Sequence, residues 1–420
     1  MNEAAQESTD SSFGGYGCPL SQSREFISYP LPRSCTFDPP TEYKRLRAEQ
    51  PVAPVKLWNG EYAWLISRYD DFRKVLADPR FSADNNLPGF PVQSAALNVS
   101  RKRYPAFVSM DPPVHTTQRR MIAGEFSIKR IEQMRPKIQK MVDGLIDAMI
   151  EKGPPVDFIE NFALALPSQV ICELLGVPYS DHEFFQRRSQ IITSNTTTSE
   201  EVVLATRELT DEFLGDLIKK KDAKPQDDLL SRLVVNHLRT GHLNLHQVIS
   251  IARMVLVAGH ETSANMLGMS MLLLLGHLDQ LCALRDDPSL MDGAIEELFR
   301  YLSVVHSGQR RVATQDVEVA GQLIRAGEGI IAFIPSANRD ESAFSDPDRF
   351  DIRRDSRNQV GFGYGVHGCL GQPLARVELQ VMLRTLFLRL PGLRLTAPVE
   401  SLKFKNDMLV YGVEHLPVAW

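Results

Sequence analysis

Apolar residues recur at helical spacing through residues 129–152, 199–221, 245–278, 291–302 and 374–390, and this periodicity predicts a helix over each stretch. Within the third, residues 266–275 (MLGMSMLLLL) are apolar on every side. A run of ten is well short of the ~20 residues needed to cross a bilayer, so it reads as a buried helix. Short β-rich pieces at 55–58, 63–67, 317–319, 330–333 and 408–413 predict strands. They are few and stand apart from the helices instead of alternating with them, so the expected fold is mainly α with a small segregated β region. Residues 82–106 are rich in Pro, Gly and Asn without periodicity, which at that length reads as either a disordered segment or a functional lid. Residues 1–36, rich in Ser, Gly and Pro, read as a flexible tail, and 37–420 as a single catalytic domain without linkers or repeats.

Composition narrows the classes. Of 420 residues 43% are hydrophobic and 24% charged, which fits a globular chain with a large core. The 47 Lys and Arg against 52 Asp and Glu leave a net charge of −5, without the basic excess of a nucleic-acid binder. Five scattered cysteines (Cys18, Cys35, Cys172, Cys282 and Cys369) form no CxxC pair, arguing against a disulfide framework or zinc ribbon and for a reducing, cytoplasmic setting. No stretch is apolar enough for a signal peptide or membrane anchor.

The chemistry concentrates in Phe362-Gly363-Tyr364-Gly365-Val366-His367-Gly368-Cys369-Leu370-Gly371. Gly363 to Gly368 satisfies G-x-G-x-x-G, but a dinucleotide site needs a hydrophobic strand before it, and residues 353–359 (RRDSRNQ) are polar. A plain buried cysteine in a turn leaves the glycines unexplained. Four glycines in nine residues imply unusual dihedrals and a close approach to something large. Cys369 then precedes a helix, where backbone N–H groups and the helix dipole favour thiolate, the form that ligates metals.

The pattern Phe362, Gly365, His367, Cys369, Gly371 resembles the haem-ligand loop of the cytochromes P-450. The resemblance implies that fold, haem b (iron protoporphyrin IX) as cofactor, and Cys369 as the axial thiolate on iron. It also implies that Phe362 packs near the sulfur and that His367 meets a haem propionate. A second segment, Leu256-Val257-Ala258-Gly259-His260-Glu261-Thr262, resembles the family's acid–alcohol motif. One helical turn separates Ala258 from Thr262, so the Thr262 hydroxyl can bond back to the Ala258 carbonyl and loosen the helix. Gly259 would remove bulk over the haem, and the Glu261 carboxylate would feed protons through water. A zinc-protease H-E-x-x-H reading of His260-Glu261 fails, since residue 264 is Ala.

Three further matches follow the same resemblance. Glu297 and Arg300 look like the E-x-x-R helix, joined in a fold-locking network by Arg349. Asp111-Pro112-Pro113-Val114-His115 through Arg119 looks like the segment that gives His115 and Arg119 to the propionates. Arg311 matches a third propionate partner, with Arg310 as a neighbouring rival. Pocket-lining positions carried over from the family are Leu87, Phe90, Ile191, Met254, Val255, Ala258, Val304, Val305, His306, Met408 and Leu409. Motif by motif the chain is similar to soluble actinobacterial members, which implies a monomeric monooxygenase. It would use O2, a small-molecule substrate, and electrons from ferredoxin and a ferredoxin reductase, steered by Arg353, Arg354 and Arg357. Two rivals stay open. One is a nitric-oxide reductase of the same fold drawing on NAD(P)H, suggested by residues 325–331 and opposed by Glu261; the other is a haem-based gas sensor or carrier.

Overall fold

The computed structural model describes residues 26–31, 33, 35–96, 98 and 105–420. Most of the expected 1–36 tail, and residues 97 and 99–104 of the expected lid, lie outside the described residues.

Helices carry the fold. Ile128–Lys152 begins where the Ser127 hydroxyl accepts from Arg130 N–H, and its apolar stripe packs on the later helix Gln372–Arg389. The central helix, Leu245–Leu275, opens on a reciprocal cap. Asn244 Oδ1 accepts from Gln247 N–H, and Gln247 Oε1 from Asn244 N–H, each at 2.9 Å. Residues 266–275 are buried throughout, as their all-round apolarity requires. The helix stops at Gly276, short of the expected 278, and Leu278–Asp286 leaves at a bend of 102°. Among the described residues no single helix is long and apolar enough to cross a membrane. The stretch expected to be one helix over 199–221 passes through an i→i+5 bonded segment, Glu208–Leu214, before Gly215–Ala223 continues it.

A six-stranded sheet stands to one side. Its spatial order is Ile27–Ser28, Val52–Lys56, Tyr62–Ile66, Gly329–Ala332, Gln309–Ala313, Phe81–Ser82. The strands Tyr62–Ile66 and Gly329–Ala332 run parallel with Trp64 opposite Ile330, while Gln309–Ala313 runs antiparallel to Gly329–Ala332 with Arg311 opposite Ile330. This pairing carries Arg311 to the inner end of the sheet. The strand expected over 408–413 is absent. Met408 bridges Ser194 and Val413 bridges Phe404, so neighbouring positions pair with different segments and no ladder extends.

One expected residue of the locking network is replaced. Glu297 and Arg300 are fully buried and doubly bonded, with Arg300 Nε 2.7 Å from Glu297 Oε2. Arg300 also donates to the carbonyls of Asn338 and Pro347, each at 2.8 Å. The third arginine is Arg354, whose Nε stands 3.2 Å from Glu297 Oε1. Arg349 has an exposed side chain and offers only its carbonyl, because the loop turns its backbone inward there. Ser356 Oγ and the N–H of Asp351 complete the bonds to Glu297. A buried carboxyl group so fully bonded leaves no polar atom orphaned in the core.

Candidate active site

Cys369 lies at the bottom of a cavity of about 390 Å³ walled by Phe362, Leu370, Leu374 and Ala375 on one side and by Val255, Ala258, Gly259, Thr262 and Met266 of the central helix on the other. Phe107, Phe126, Ile171, Phe299, Val304 and Val305 complete a largely apolar wall. The loop reaches this position through two left-handed glycines, Gly363 (φ +73°) and Gly365 (φ +72°). A Cβ at Gly365 would stand 2.5 Å from the Leu76 carbonyl oxygen, so both the dihedral and the packing exclude a side chain. The Cys369 N–H donates to the Phe362 carbonyl (2.8 Å), and the Phe362 ring packs 4.5 Å from that of Phe299, beneath the Arg376 guanidinium. Gly371 immediately precedes the helix Gln372–Arg389, and the N–H groups of Gly371 and Gln372 bond the sulfur.

Those N–H groups do not by themselves make a thiolate. Burial pushes the Cys369 thiol above the ordinary cysteine range, and the backbone donors with Arg119 and Arg376 pull it back only in part. The sulfur's exposed surface faces the cavity, not bulk water. The donors at the helix terminus favour thiolate as expected, but burial outweighs them. The positive charge of a bound metal ion would shift the balance towards the thiolate.

At the edge of the cavity four nitrogenous side chains converge. His115 and His367 have ring centroids 4.1 Å apart. His115 is 1% exposed, yet neither of its ring nitrogens has a hydrogen-bond partner, and nor does His367 Nδ1. Arg119 donates to the Gly368 carbonyl at 2.7 Å, and Arg311 to the Arg310 carbonyl at 2.7 Å. Burial lowers Arg311 to about 10. Burial, and then Arg311, His115 and Arg119, drive His367 down to about 3. The nearest acid, Asp111, is already bonded to Ser82 and to the Ala83 N–H. Of the two rivals it is Arg311 whose charge reaches both histidines. Orphaned imidazoles and two cations, Arg311 buried and Arg119 half-buried, beside an apolar slot with a thiol at its base fit a flat, metal-bearing macrocycle that carries carboxylates. Haem b has that chemistry.

On the far wall the Thr262 hydroxyl donates to the Ala258 carbonyl at 2.8 Å. The helix nevertheless runs unbroken through it, so the expected loosening is not seen. Gly259 lines the cavity, but the space its missing Cβ leaves belongs to Ile171, whose Cδ1 would lie 2.6 Å away. Glu261 is 2% exposed and both carboxyl oxygens lack partners. It faces a second chamber of about 520 Å³, which shares Met254, Ala258, Thr262 and Val305 with the first.

Of the carried-over pocket positions, Phe90, Met254, Val305 and Leu409 line the second chamber, and Val255 and Val304 the first. Four positions do not line either. Ile191 is half-buried against the main core, and the next residues, the buried Ile192 and Thr193, line the wall instead, a shift of one helical position. The His306 Nε2–H donates to the Met408 carbonyl at 2.7 Å, which ties both residues together as a strut; burial brings His306 down to about 4 and keeps it neutral. Leu87 belongs to a turn whose carbonyl accepts from Phe90 N–H. The proposed steering cluster also shrinks, since Arg354 is held by Glu297 and Arg357 by Asp355 at 2.6 Å. Pattern reading missed Arg376, bonded to Glu296 over Phe362, and the wholly buried Glu378.

Comparison with known proteins agrees with this geometry. Residues 183–391 match the family described as Cytochrome P450. The chain is 48% identical to cytochrome P450-SU2 of Streptomyces griseolus, over 92% of this chain and 94% of that protein. It is 44% identical to the pentalenic acid synthase of Streptomyces avermitilis, covering 94% and 97%. Among solved structures, the mycinamicin VIII methyl hydroxylase of Micromonospora griseorubida, crystallised with mycinamicin VIII, superposes with a TM-score of 0.90 at 39% identity, covering 94% of this chain and 100% of that one.

Proposed function

The chain belongs to the cytochrome P450 family, and from that premise we propose that it is a ferredoxin-dependent tailoring enzyme that oxidises a mid-sized, mostly apolar secondary metabolite. Its class, a monooxygenase with haem b as cofactor, comes with the family. Bound haem b supplies the activation of O2 and the insertion of one oxygen atom into a C–H bond or alkene.

In this reading the Cys369 sulfur is the metal ligand, tuned by the Gly371 and Gln372 N–H groups. His115, Arg119, Arg311 and His367 receive the two propionates, and the single observation that carries the reading is their crowding at the edge of the thiol-based cavity with three imidazole nitrogens unpartnered. The Thr262 hydroxyl holds a proton at the wall where O2 is reduced, and Glu261, buried without partners, replenishes it from the adjoining chamber. The apolar walls exclude bulk water and hold the substrate by surface contact. Electrons arrive from a ferredoxin on the cysteine side. The similar proteins named as a hydroxylase and a synthase acting on secondary metabolites support a tailoring role and lend nothing to the nitric-oxide reductase or gas-sensor readings.

The test is reconstitution of the holoenzyme with a ferredoxin, its reductase and NADPH under isotopically labelled dioxygen. One labelled oxygen atom per product supports the proposal; steady turnover of nitric oxide with NADH and no ferredoxin overturns it.

A further inference from the structure

One ion pair touches both flanks of the sulfur. Arg376 follows Gln372 by four positions on the helix Gln372–Arg389, so the two side chains share a helix face. Its Nη1 donates to Gln372 Oε1 at 3.0 Å, and its guanidinium stands 4.7 Å from the centre of the Phe362 ring. Gln372 gives its backbone N–H to the Cys369 sulfur, and the Phe362 carbonyl accepts the Cys369 N–H. The residues on either side of the sulfur are therefore held by one cation.

Glu296, on the helix Met291–Leu302, meets that cation with both carboxyl oxygens, Oε2 lying 3.0 Å from Arg376 Nη2. The same oxygen accepts from Gln359 Nε2 at 3.1 Å, which fixes the carboxylate from the loop that leads to Cys369. The two side chains are 30% and 12% exposed, so solvent screens their fields only in part. Arg119 and Arg376 both act electrostatically on the sulfur. Arg119 lines the first cavity, where the propionates account for it; Arg376 lines an outer groove with Glu296 and Gln380 and has no part in propionate binding.

We propose that Arg376 and Glu296 are a positioning pair that sets the reduction potential of the metal held by Cys369. This deepens the proposed function and rests on its reading of Cys369 as the metal ligand. Reduction adds one negative charge to the metal–sulfur unit, so the nearby cation favours it and the nearby anion opposes it. Arg376 makes the first electron easier to accept, and Glu296 limits how far.

Redox titration of the ferric holoprotein against a dye of known potential, followed at the Soret band, tests this without a substrate. Arg376→Gln should move the potential to more negative values and Glu296→Gln to more positive ones, each changing the ferric-to-ferrous ratio at a fixed potential by at least about threefold. Arg376→Lys, which keeps the charge without the planar fork, should stay within about twofold of the parent. Both glutamine variants break the same ion pair, so a role confined to holding the loop would move them in the same direction. Shifts of one sign in both, an unmoved potential in either, or an Arg376→Lys potential displaced as far as that of Arg376→Gln overturns the proposal. If the reduced, unmodified holoprotein with carbon monoxide lacks the thiolate-type Soret band, the Cys369 reading fails and the inference falls with it.

Discussion

The His115 and His367 rings lie 4.1 Å apart with three of their four nitrogens unpartnered, and Arg119 and Arg311 press their positive charge on both. Neither histidine can add a third and fourth charge to that cluster at neutral pH. Both wait for anionic acceptors, and the arrangement is costly until those arrive.

The first prediction concerns this cluster. His367 falls from its unfolded value near 6.5 to about 3, so the folded protein binds fewer protons than the unfolded chain between those values. Stability of the haem-free protein must therefore decline as pH falls below about 6.5 and level off near 3. Propionates facing the imidazoles raise the folded pKa and flatten that slope. Urea denaturation of haem-free and haem-loaded protein across this range measures both; identical slopes would remove the propionate assignment.

Arg354, not Arg349, closes the lock on Glu297. Arg354→Met should cost about 2 kcal/mol, since it strips one charge-assisted bond from a buried carboxylate that Arg300 still holds. Arg349→Ala should stay within about 0.5 kcal/mol, as its side chain is exposed. Denaturant midpoints of the two variants decide, and the reverse order would restore Arg349 to the network.

Glu378 is a buried carboxyl without a well-formed hydrogen bond; the Ser263 hydroxyl is the polar group beside it. Burial raises it to about 8, so the folded protein holds a proton that the unfolded chain releases near 4.5. Stability contributed by this site falls as pH climbs from about 4.5 to 8. Glu378→Gln should flatten that decline and raise stability at pH 8 by roughly 2 kcal/mol, less than the full displacement because local relaxation recovers part. A variant as pH-sensitive as its parent would contradict this.

Thr262→Ala should leave substrate affinity within about twofold and divert reducing equivalents to peroxide, cutting product per NADPH roughly tenfold, with Thr262→Ser intermediate. Simultaneous peroxide and product assays measure the split. Unchanged coupling would take the proton role from Thr262.

Much of this was legible in the chain. The central helix announced itself through a one-sided and then all-round apolar pattern, and Cys369, His367 and Thr262 stood in motifs whose spacing the backbone preserves. What escaped depends on contacts distant in sequence. Arg354 replaces Arg349 because a turn in an aperiodic loop decides which side chain points inward, and periodicity says nothing there. Ile191 and Ile192 differ by one helical step, finer than an apolar stripe resolves. His306 and Met408 are joined across 102 positions by one hydrogen bond. The strand expected at 408–413 failed because its positions pair with different segments, not for want of β propensity. The Cys369 thiol shows local reasoning overruled, since the helix N-terminus lowers its pKa but burial raises it further.

The central claim is a sulfur–iron bond at residue 369, and the carbon monoxide difference spectrum of the reduced holoprotein tests it most directly. The account predicts the long-wavelength Soret band that gives the family its name in the unmodified protein and its disappearance in Cys369→Ala. The same band in both proteins, or in neither, would contradict it.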